Sequence, residues 1–294
     1  MMFQGFPGPL KAETGELRPY SAVSWNYLKT LTGFGPRNFG SPGYIKTVEL
    51  LVETGKKYAD AVEVQPFFIT NGEGEKLQMS NIRLKFEGRR KGRPILLGTH
   101  FDTRPFSDEE TDPSLRSRPI LGANDGGSGT AVLLALAEYL SRHKPARSIE
   151  LVFFDGEDYG AKDSGENLLG SFHYARELAQ LDAEQWPYCV IVIDMVADRD
   201  LEIFREMHSM KSASWLVDLI HGIAEKRKTP QFRSQSKYTI FDDHYPFIGL
   251  GIPAIVLIDF DYPYWHKLTD TLDKCSPESM FAVFSVVVEA LAEI

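Results

Sequence analysis

The chain has 294 residues, 43% of them hydrophobic, enough to bury a substantial core in a soluble globular protein. Its 41 acidic residues outnumber 32 basic ones, giving a net charge of −9, and no long basic run could track a phosphate backbone, so no nucleic acid is expected as a partner. No stretch approaches the roughly 18 consecutive apolar residues that a membrane span requires, so no membrane span is expected either.

Residues 1–40 are rich in Pro and Gly, ending in Gly33-Phe34-Gly35-Pro36-Arg37 and Gly40-Ser41-Pro42-Gly43, and read as an irregular N-terminal arm. Ser41 is a candidate cap, with Pro42 in the first turn, for a helix over 44–58. Alternation predicts a strand over 62–69 and a second over 81–86, a hairpin-like pair, before a fully buried strand over 95–98. A polar loop follows over 107–118, in which Asp108-Glu109-Glu110 reads as solvated. The pattern continues with a helix over 128–140, a buried strand over 149–154, a helix over 168–178 and a buried strand over 190–195. A helix over 212–225, a short strand over 254–258 and a terminal helix over 277–294 complete the chain.

Buried strands alternating with helices predict a three-layer α/β/α fold, with a central mixed, mainly parallel sheet covered by helices on both faces. No internal repeat, low-complexity tract or linker divides the chain, so a single catalytic domain over 1–294 is expected. Of the two cysteines, Cys189 lies in the apolar run Cys189-Val190-Ile191-Val192-Ile193 and reads as a buried free thiol; two cysteines make no disulfide framework. The start Met1-Met2-Phe3-Gln4-Gly5 lacks the charged-then-apolar pattern of an export signal. A cytoplasmic location is expected on that basis, or a periplasmic or secreted one if a signal has been removed.

In an open α/β sheet the ligand crevice lies beyond the carboxyl ends of the strands, so polar residues directly after each buried run should converge there. His100 and Asp102 follow the strand over 95–98, Glu157 and Asp158 follow that over 149–154, Asp194 ends that over 190–195, and Trp265 and His266 come after that over 254–258. Asp125 lies in the turn Gly122-Ala123-Asn124-Asp125-Gly126-Gly127-Ser128-Gly129, which leads into a helix, and Asp242-Asp243-His244 precedes Tyr245-Pro246-Phe247. Imidazole nitrogen with carboxylate oxygen suits zinc best among common ions, in sites that often keep one coordination position open.

Each residue has a plainer reading, because a lone His or Asp at a strand end is more often a cap or a surface group. Asp194 differs: a carboxylate inside Val-Ile-Asp-Met-Val must be paired, protonated or metal-bound to tolerate burial. The glycine turn lacks both the Lys of a phosphate-binding loop and the spacing of a dinucleotide fingerprint. His143, His173, His208 and His221 have no acidic partners at matching strand ends and read as structural or exposed.

Taken together, from about residue 36 to the end, the chain resembles the zinc-dependent M28 peptidase superfamily. The shared features are a His-x-Asp after a strand, a Gly-Ala-x-Asp turn before a helix, a paired acidic motif, an isolated Asp and a late His. Within it, Phe153-Phe154-Asp155-Gly156-Glu157-Asp158 with Gly170-Ser171, the Asp242-Asp243-His244-x-Pro-Phe segment, and Trp265 directly before His266 resemble the glutaminyl cyclase branch. Aminopeptidases usually show Ser-Asp-His where this chain has Asp242-Asp243-His244. The disulfide of the animal cyclases has no counterpart, a likeness to bacterial-type members.

The resemblance implies one zinc ion held by Asp125, Asp158 and His266, with Glu157 as the acid/base group beside it. It further implies that Asp194 and Asp242 form a hydrogen-bonded carboxylate network with Glu157, that Trp265 walls the substrate's side chain, and that Asp102 orients His100 as its partner. One departure stands out: relatives carry Glu-Glu where this chain has Glu157-Asp158, so the shorter Asp158 reaches a zinc–oxygen distance of roughly 2.0 to 2.2 Å only if the metal or backbone shifts. The implied reaction converts N-terminal glutaminyl residues of peptides to pyroglutamate with release of ammonia, with peptide or protein N-termini as substrates. The main alternative is a two-zinc aminopeptidase, with His100 and Asp194 holding a second metal alongside Asp125. A further alternative is a binding module that has lost catalysis. Oligomeric state is not set by these residues.

Overall fold

In a computed structural model that describes residues 14–161 and 164–294, the chain forms eight α-helices and eight strands among the described residues. Helices α1 (Thr14–Leu17), α2 (Pro19–Gly33) and α3 (Pro42–Tyr58) precede the hairpin of β1 (Ala61–Thr70) and β2 (Lys76–Phe86). Next come β3 (Arg90–His100), α4 (Gly127–Arg142), β4 (Arg147–Phe154), α5 (Leu169–Leu178) and β5 (Cys189–Asp194). The chain continues through β6 (Ile203–Arg205), α6 (Met207–Arg227), β7 (Phe232–Ser236), α7 (Tyr245–Gly249), β8 (Ala254–Ile258) and α8 (Pro277–Glu293). The Ser41 hydroxyl accepts from the amide of Tyr44 at 3.1 Å, the capping expected of Ser41-Pro42.

The main sheet has six strands in the order β1-β2-β4-β3-β5-β8. The β1/β2 and β2/β4 pairings are antiparallel, whereas β4/β3, β3/β5 and β5/β8 are parallel, so the sheet is mixed and mainly parallel as expected. Successive side chains of a strand point to opposite faces, and two cores result. Ile95, Leu97, Ile191, Ile193 and Leu257 pack with apolar residues of α2, α3, α4, α6 and α8. Leu96, Val190, Val192 and Val256 pack on the other face with Tyr174 and Leu178 of α5 and Phe247 of α7. Cys189 and Cys275 are free and buried. No helix of the described residues is long and apolar enough to cross a membrane.

The irregular arm expected over 1–40 is corrected in its second half, where α2 runs for 15 residues and buries Tyr20, Leu28 and Leu31. The Pro and Gly residues cluster on either side of this segment, and Pro19 sits in its first turn, where proline starts a helix rather than breaking it. The part of the arm over 1–13 lies outside the described residues. The two-stranded parallel sheet of β6 and β7 was not expected, since strands of three and five residues give too little alternation to read.

Between α2 and α3 lies Arg37, whose side chain is fully buried. Its guanidinium donates to the carbonyls of Phe101 at 3.0 Å, Leu121 at 2.9 Å and Gly122 at 2.7 Å, and its amide donates to the Thr103 hydroxyl at 2.8 Å. Burial lowers its pKa to about 10, against the raising charges of Asp270, Asp125 and Asp102, so it stays a cation. Arg37 therefore ties the end of β3 to the turn before α4. Arg37→Met would strand these carbonyls in the interior, at about 1–3 kcal/mol for each that water cannot reach. We expect the urea-unfolding free energy to fall by at least about 3 kcal/mol; an unchanged midpoint would show that the loops hold together without it.

Candidate metal centre

Because β3, β4, β5 and β8 are parallel, their carboxyl ends share one edge, and the loops beyond them carry the polar residues named above. Asp125 sits two residues before the start of α4, and at the intervening Gly126 φ is +68° and a Cβ would lie 2.3 Å from the carbonyl oxygen of Asp102, so only glycine fits. The fully buried carboxylate of Asp270 accepts from the amides of Asn124 at 2.9 Å and Asp125 at 3.1 Å, and from the Tyr262 hydroxyl at 2.7 Å. Asp102 does the same for the loop after β4, accepting from the amides of Glu157 at 3.2 Å and Asp158 at 3.0 Å. His266 is in the left-handed region at φ +53°, its ring stacked on that of Trp265 at 3.9 Å.

These loops bring Asp125, Asp158 and His266 together, one donor atom from each lying within 4.8 Å of the others. Nε2 of His266 is 3.3 Å from Asp158 Oδ1 and 3.6 Å from Asp125 Oδ2. Oδ2 of both aspartates is buried with no hydrogen-bond partner. Two converging buried carboxylates with unfilled lone pairs, facing an imidazole, fit a cation and particularly zinc. His100, Asp125 and Asp194 form a second such group: His100 Nε2 is 3.1 Å from Asp194 Oδ1 and 3.3 Å from Asp125 Oδ1. Nδ1 of His100 is 3.7 Å from both Asp102 Oδ1 and Glu157 Oε2, so the firm bonds of Asp102 go to the two amides rather than to this ring.

Electrostatically the pocket is crowded with negative charge. Burial, together with Asp158, Asp243 and Asp242, raises the Glu157 carboxyl well above its ordinary range. Burial and then Asp194 and Asp243 push Asp242 up to about 8, and burial raises Asp243 to about 7. Although burial disfavours its cation, His100 is raised by Asp194 and Glu157, and His266 rises to about 9 through Asp158, Asp108 and Asp125. Burial would raise Asp158 too, but His266, His100 and Arg104 hold it below the usual carboxylate range. Glu157 keeps 19% of its side chain exposed, against 12% for Asp194 and 4% for Asp125 and Asp158, so it is the most accessible of these four acids.

The family profile described as peptidase family M28 matches residues 81–291. The chain belongs to this family. The structure is similar to that of Tannerella forsythia glutaminyl cyclase, with a TM-score of 0.85 and 30% identity over 93% of this chain and 98% of that one. It is equally similar to a Zn-dependent exopeptidase from Parabacteroides distasonis, with a TM-score of 0.85 and 28% identity over 93% and 98%. Among curated sequences, the glutaminyl-peptide cyclotransferase of Drosophila melanogaster is 25% identical over 80% of this chain and 70% of its own length. The chain spans 61% of the length of several further animal cyclotransferases. The M28 resemblance and its glutaminyl cyclase branch, read from the motifs, are thus borne out.

On this M28 scaffold the half-buried Trp265 packs against Phe260 at 5.6 Å, next to His266. Four residues at the centre were not singled out from sequence: Arg37, Arg104, Asp108 and Asp270. Asp108, expected in a solvated run, instead has a side chain only 17% exposed that lies 3.3 Å from Nδ1 of His266. A local hint existed in the spacing of Arg104 and Asp108, an ion pair at 2.8 Å, but nothing local points to a partner 158 residues away. Zinc at 100 times its dissociation constant should stabilise the chain by about 2.7 kcal/mol. We expect it to raise the thermal midpoint of the wild type and not that of Asp125→Asn or His266→Gln; an equal rise in all three would place the metal elsewhere.

Proposed function

We propose that the chain is a zinc-dependent glutaminyl-peptide cyclotransferase that closes N-terminal glutaminyl residues of peptides or proteins into pyroglutamate. The observation that carries this reading is the group of Asp125, Asp158 and His266 with the reachable carboxyl of Glu157 beside it, on a scaffold like that of the glutaminyl cyclases. In the reaction the α-amine nitrogen bonds to the side-chain amide carbon, the bond from that carbon to the amide nitrogen breaks, and ammonia leaves. One proton must travel from the attacking amine to the departing nitrogen, and no water enters.

Asp125, Asp158 and His266 would hold the zinc, which when bound polarises the amide carbonyl and offsets the charge that grows on its oxygen. Glu157 would carry the proton, accepting it from the amine and returning it to the leaving group. Burial and the neighbouring acids Asp158, Asp243 and Asp242 favour that role, since they make a proton costly to lose from Glu157. Trp265, fixed by its stacking on His266 and its tilted contact with Phe260, would wall the glutaminyl side chain and keep the amide at the reacting centre.

A second reading, a two-zinc aminopeptidase, is favoured by the group of His100, Asp125 and Asp194. The two readings separate on one purified sample, assayed on a Gln-initiated and a Leu-initiated peptide with its zinc content recorded. Cyclisation of the first peptide at about one zinc per chain supports the cyclase; release of Leu at about two zincs per chain overturns it. For the cyclase, Glu157→Gln should lower kcat by about 10²- to 10⁴-fold with zinc still bound. Undiminished turnover in that variant would assign the proton transfer to another group.

A further inference from the structure

The loop leaving β3 makes an unbroken line of ionic contacts. Arg104, 7% exposed at its side chain, donates from Nη1 to Asp158 Oδ1 at 3.1 Å, and from Nε and Nη2 to Asp108 Oδ2 at 3.0 and 2.8 Å. Oδ1 of Asp108 faces Nδ1 of His266 at 3.3 Å. Two residues on, Glu110 Oε1 accepts from the amide of Leu268 at 3.0 Å, and the amide of Glu109 donates to the carbonyl of His266 at 3.4 Å. One short segment thus grips the loop carrying His266 at side chain and backbone, while its arginine grips Asp158 from the other side.

Each contact constrains a donor atom. Asp108 at Nδ1 fixes the orientation of the ring, so that Nε2 is the nitrogen that faces Asp125 and Asp158. The guanidinium fork occupies Oδ1 of Asp158 and leaves Oδ2, which has no other partner, turned free. His266 also has a backbone conformation that a non-glycine residue adopts only where its surroundings enforce it, and this loop supplies the enforcement. Burial would raise the Asp108 carboxyl, but His266 and Arg104 hold it well below the usual range, so it stays an anion and the Arg104–Asp108 pair adds no net charge beside the metal.

We propose that Arg104 and Asp108 are positioning residues that act as one bracket, presetting Asp158 and His266 as zinc ligands before the ion arrives. The bracket rests on the zinc reading of the site. It also suits the short side chain of Asp158, which the arginine reaches directly. The ionic contacts of Arg104 and Asp108 run to each other, to Asp158 and to His266, so their effect passes through the two ligands.

The sign of the Arg104 effect separates positioning from bare electrostatics. A cation beside the site repels zinc, so on charge alone Arg104→Gln would tighten zinc binding and Asp108→Asn would weaken it. Positioning requires both to weaken it, by about 10- to 100-fold. It also requires that Arg104→Lys fail to restore affinity, because an ammonium lacks the fork that spans two carboxylates. The experiment is competition for zinc between the purified full-length chain and a chromophoric chelator, with thermal melting of each protein in EDTA.

Weakening of at least tenfold in Arg104→Gln and Asp108→Asn, with the melting midpoint in EDTA close to that of the wild type, supports the bracket. Unchanged or tighter zinc binding by Arg104→Gln overturns it, as does a lowered midpoint in EDTA with unchanged zinc affinity, which marks a purely structural pair. Should Asp108→Asn fail to fold, the two Arg104 variants decide by themselves. A wild type that takes up no zinc would end the metal reading and the bracket together, whereas tight and equal binding by wild type and variants would end the bracket alone.

Discussion

Negative charge confined at one edge of the sheet is the constraint around which the rest of the molecule is arranged. Asp102, Asp125, Asp158, Asp194, Asp242 and Asp243 are all at most 8% exposed, and Glu157 is packed among them. An isolated buried carboxylate is unfavourable by many kcal/mol, and neighbours of like sign add to the cost. The fold answers in several ways. Backbone amides are turned onto Asp102 and Asp270, the cations of Arg37 and Arg104 and the imidazoles of His100 and His266 are interleaved, and burial with mutual repulsion favours protons on Glu157 and Asp242. What remains is an under-compensated group of oxygens, the environment that draws in a hard or borderline cation.

The constellation offers chemistry of two kinds that differ in what the carboxylates must do. In the two-zinc reading, hydrolysis uses a water activated between two metal positions, so Asp194 and His100 would have to be free to bind an ion. Ring closure needs only one polarising centre and a proton carrier, and it leaves Asp194 free to pair with His100, as the 3.1 Å contact between them shows it can. A single scaffold can thus serve either reaction by changing who holds one histidine.

Much of the fold was legible because its signals are periodic and continuous. The apolar runs of β3, β4, β5 and β8 announced buried parallel strands, and the rule that ligands gather at their carboxyl ends then pointed to His100, Glu157, Asp158, Asp194 and His266 without further information. The helix α2 was obscured by prolines and glycines on either side, though Tyr20, Leu28 and Leu31 keep helical spacing. Arg37, Arg104, Asp108 and Asp270 could not be read in the same way. A polar residue in a loop carries no periodicity, and the partners that give these four their meaning are brought near only by tertiary folding: Asp270 reaches the amide of Asn124 across 146 residues.

Arg37 also bears on where this chain can be cut. The segment matched to the family begins at residue 81 and contains Asp125, Asp158 and His266, yet the guanidinium that closes off the carbonyls of Phe101, Leu121 and Gly122 comes from upstream of it. A fragment trimmed to the recognisable region would keep all three candidate ligands and lose the peg that fastens their loops. A fragment beginning at residue 81 would leave those carbonyls without their donor, so the boundary drawn by family likeness cuts through the support of the site.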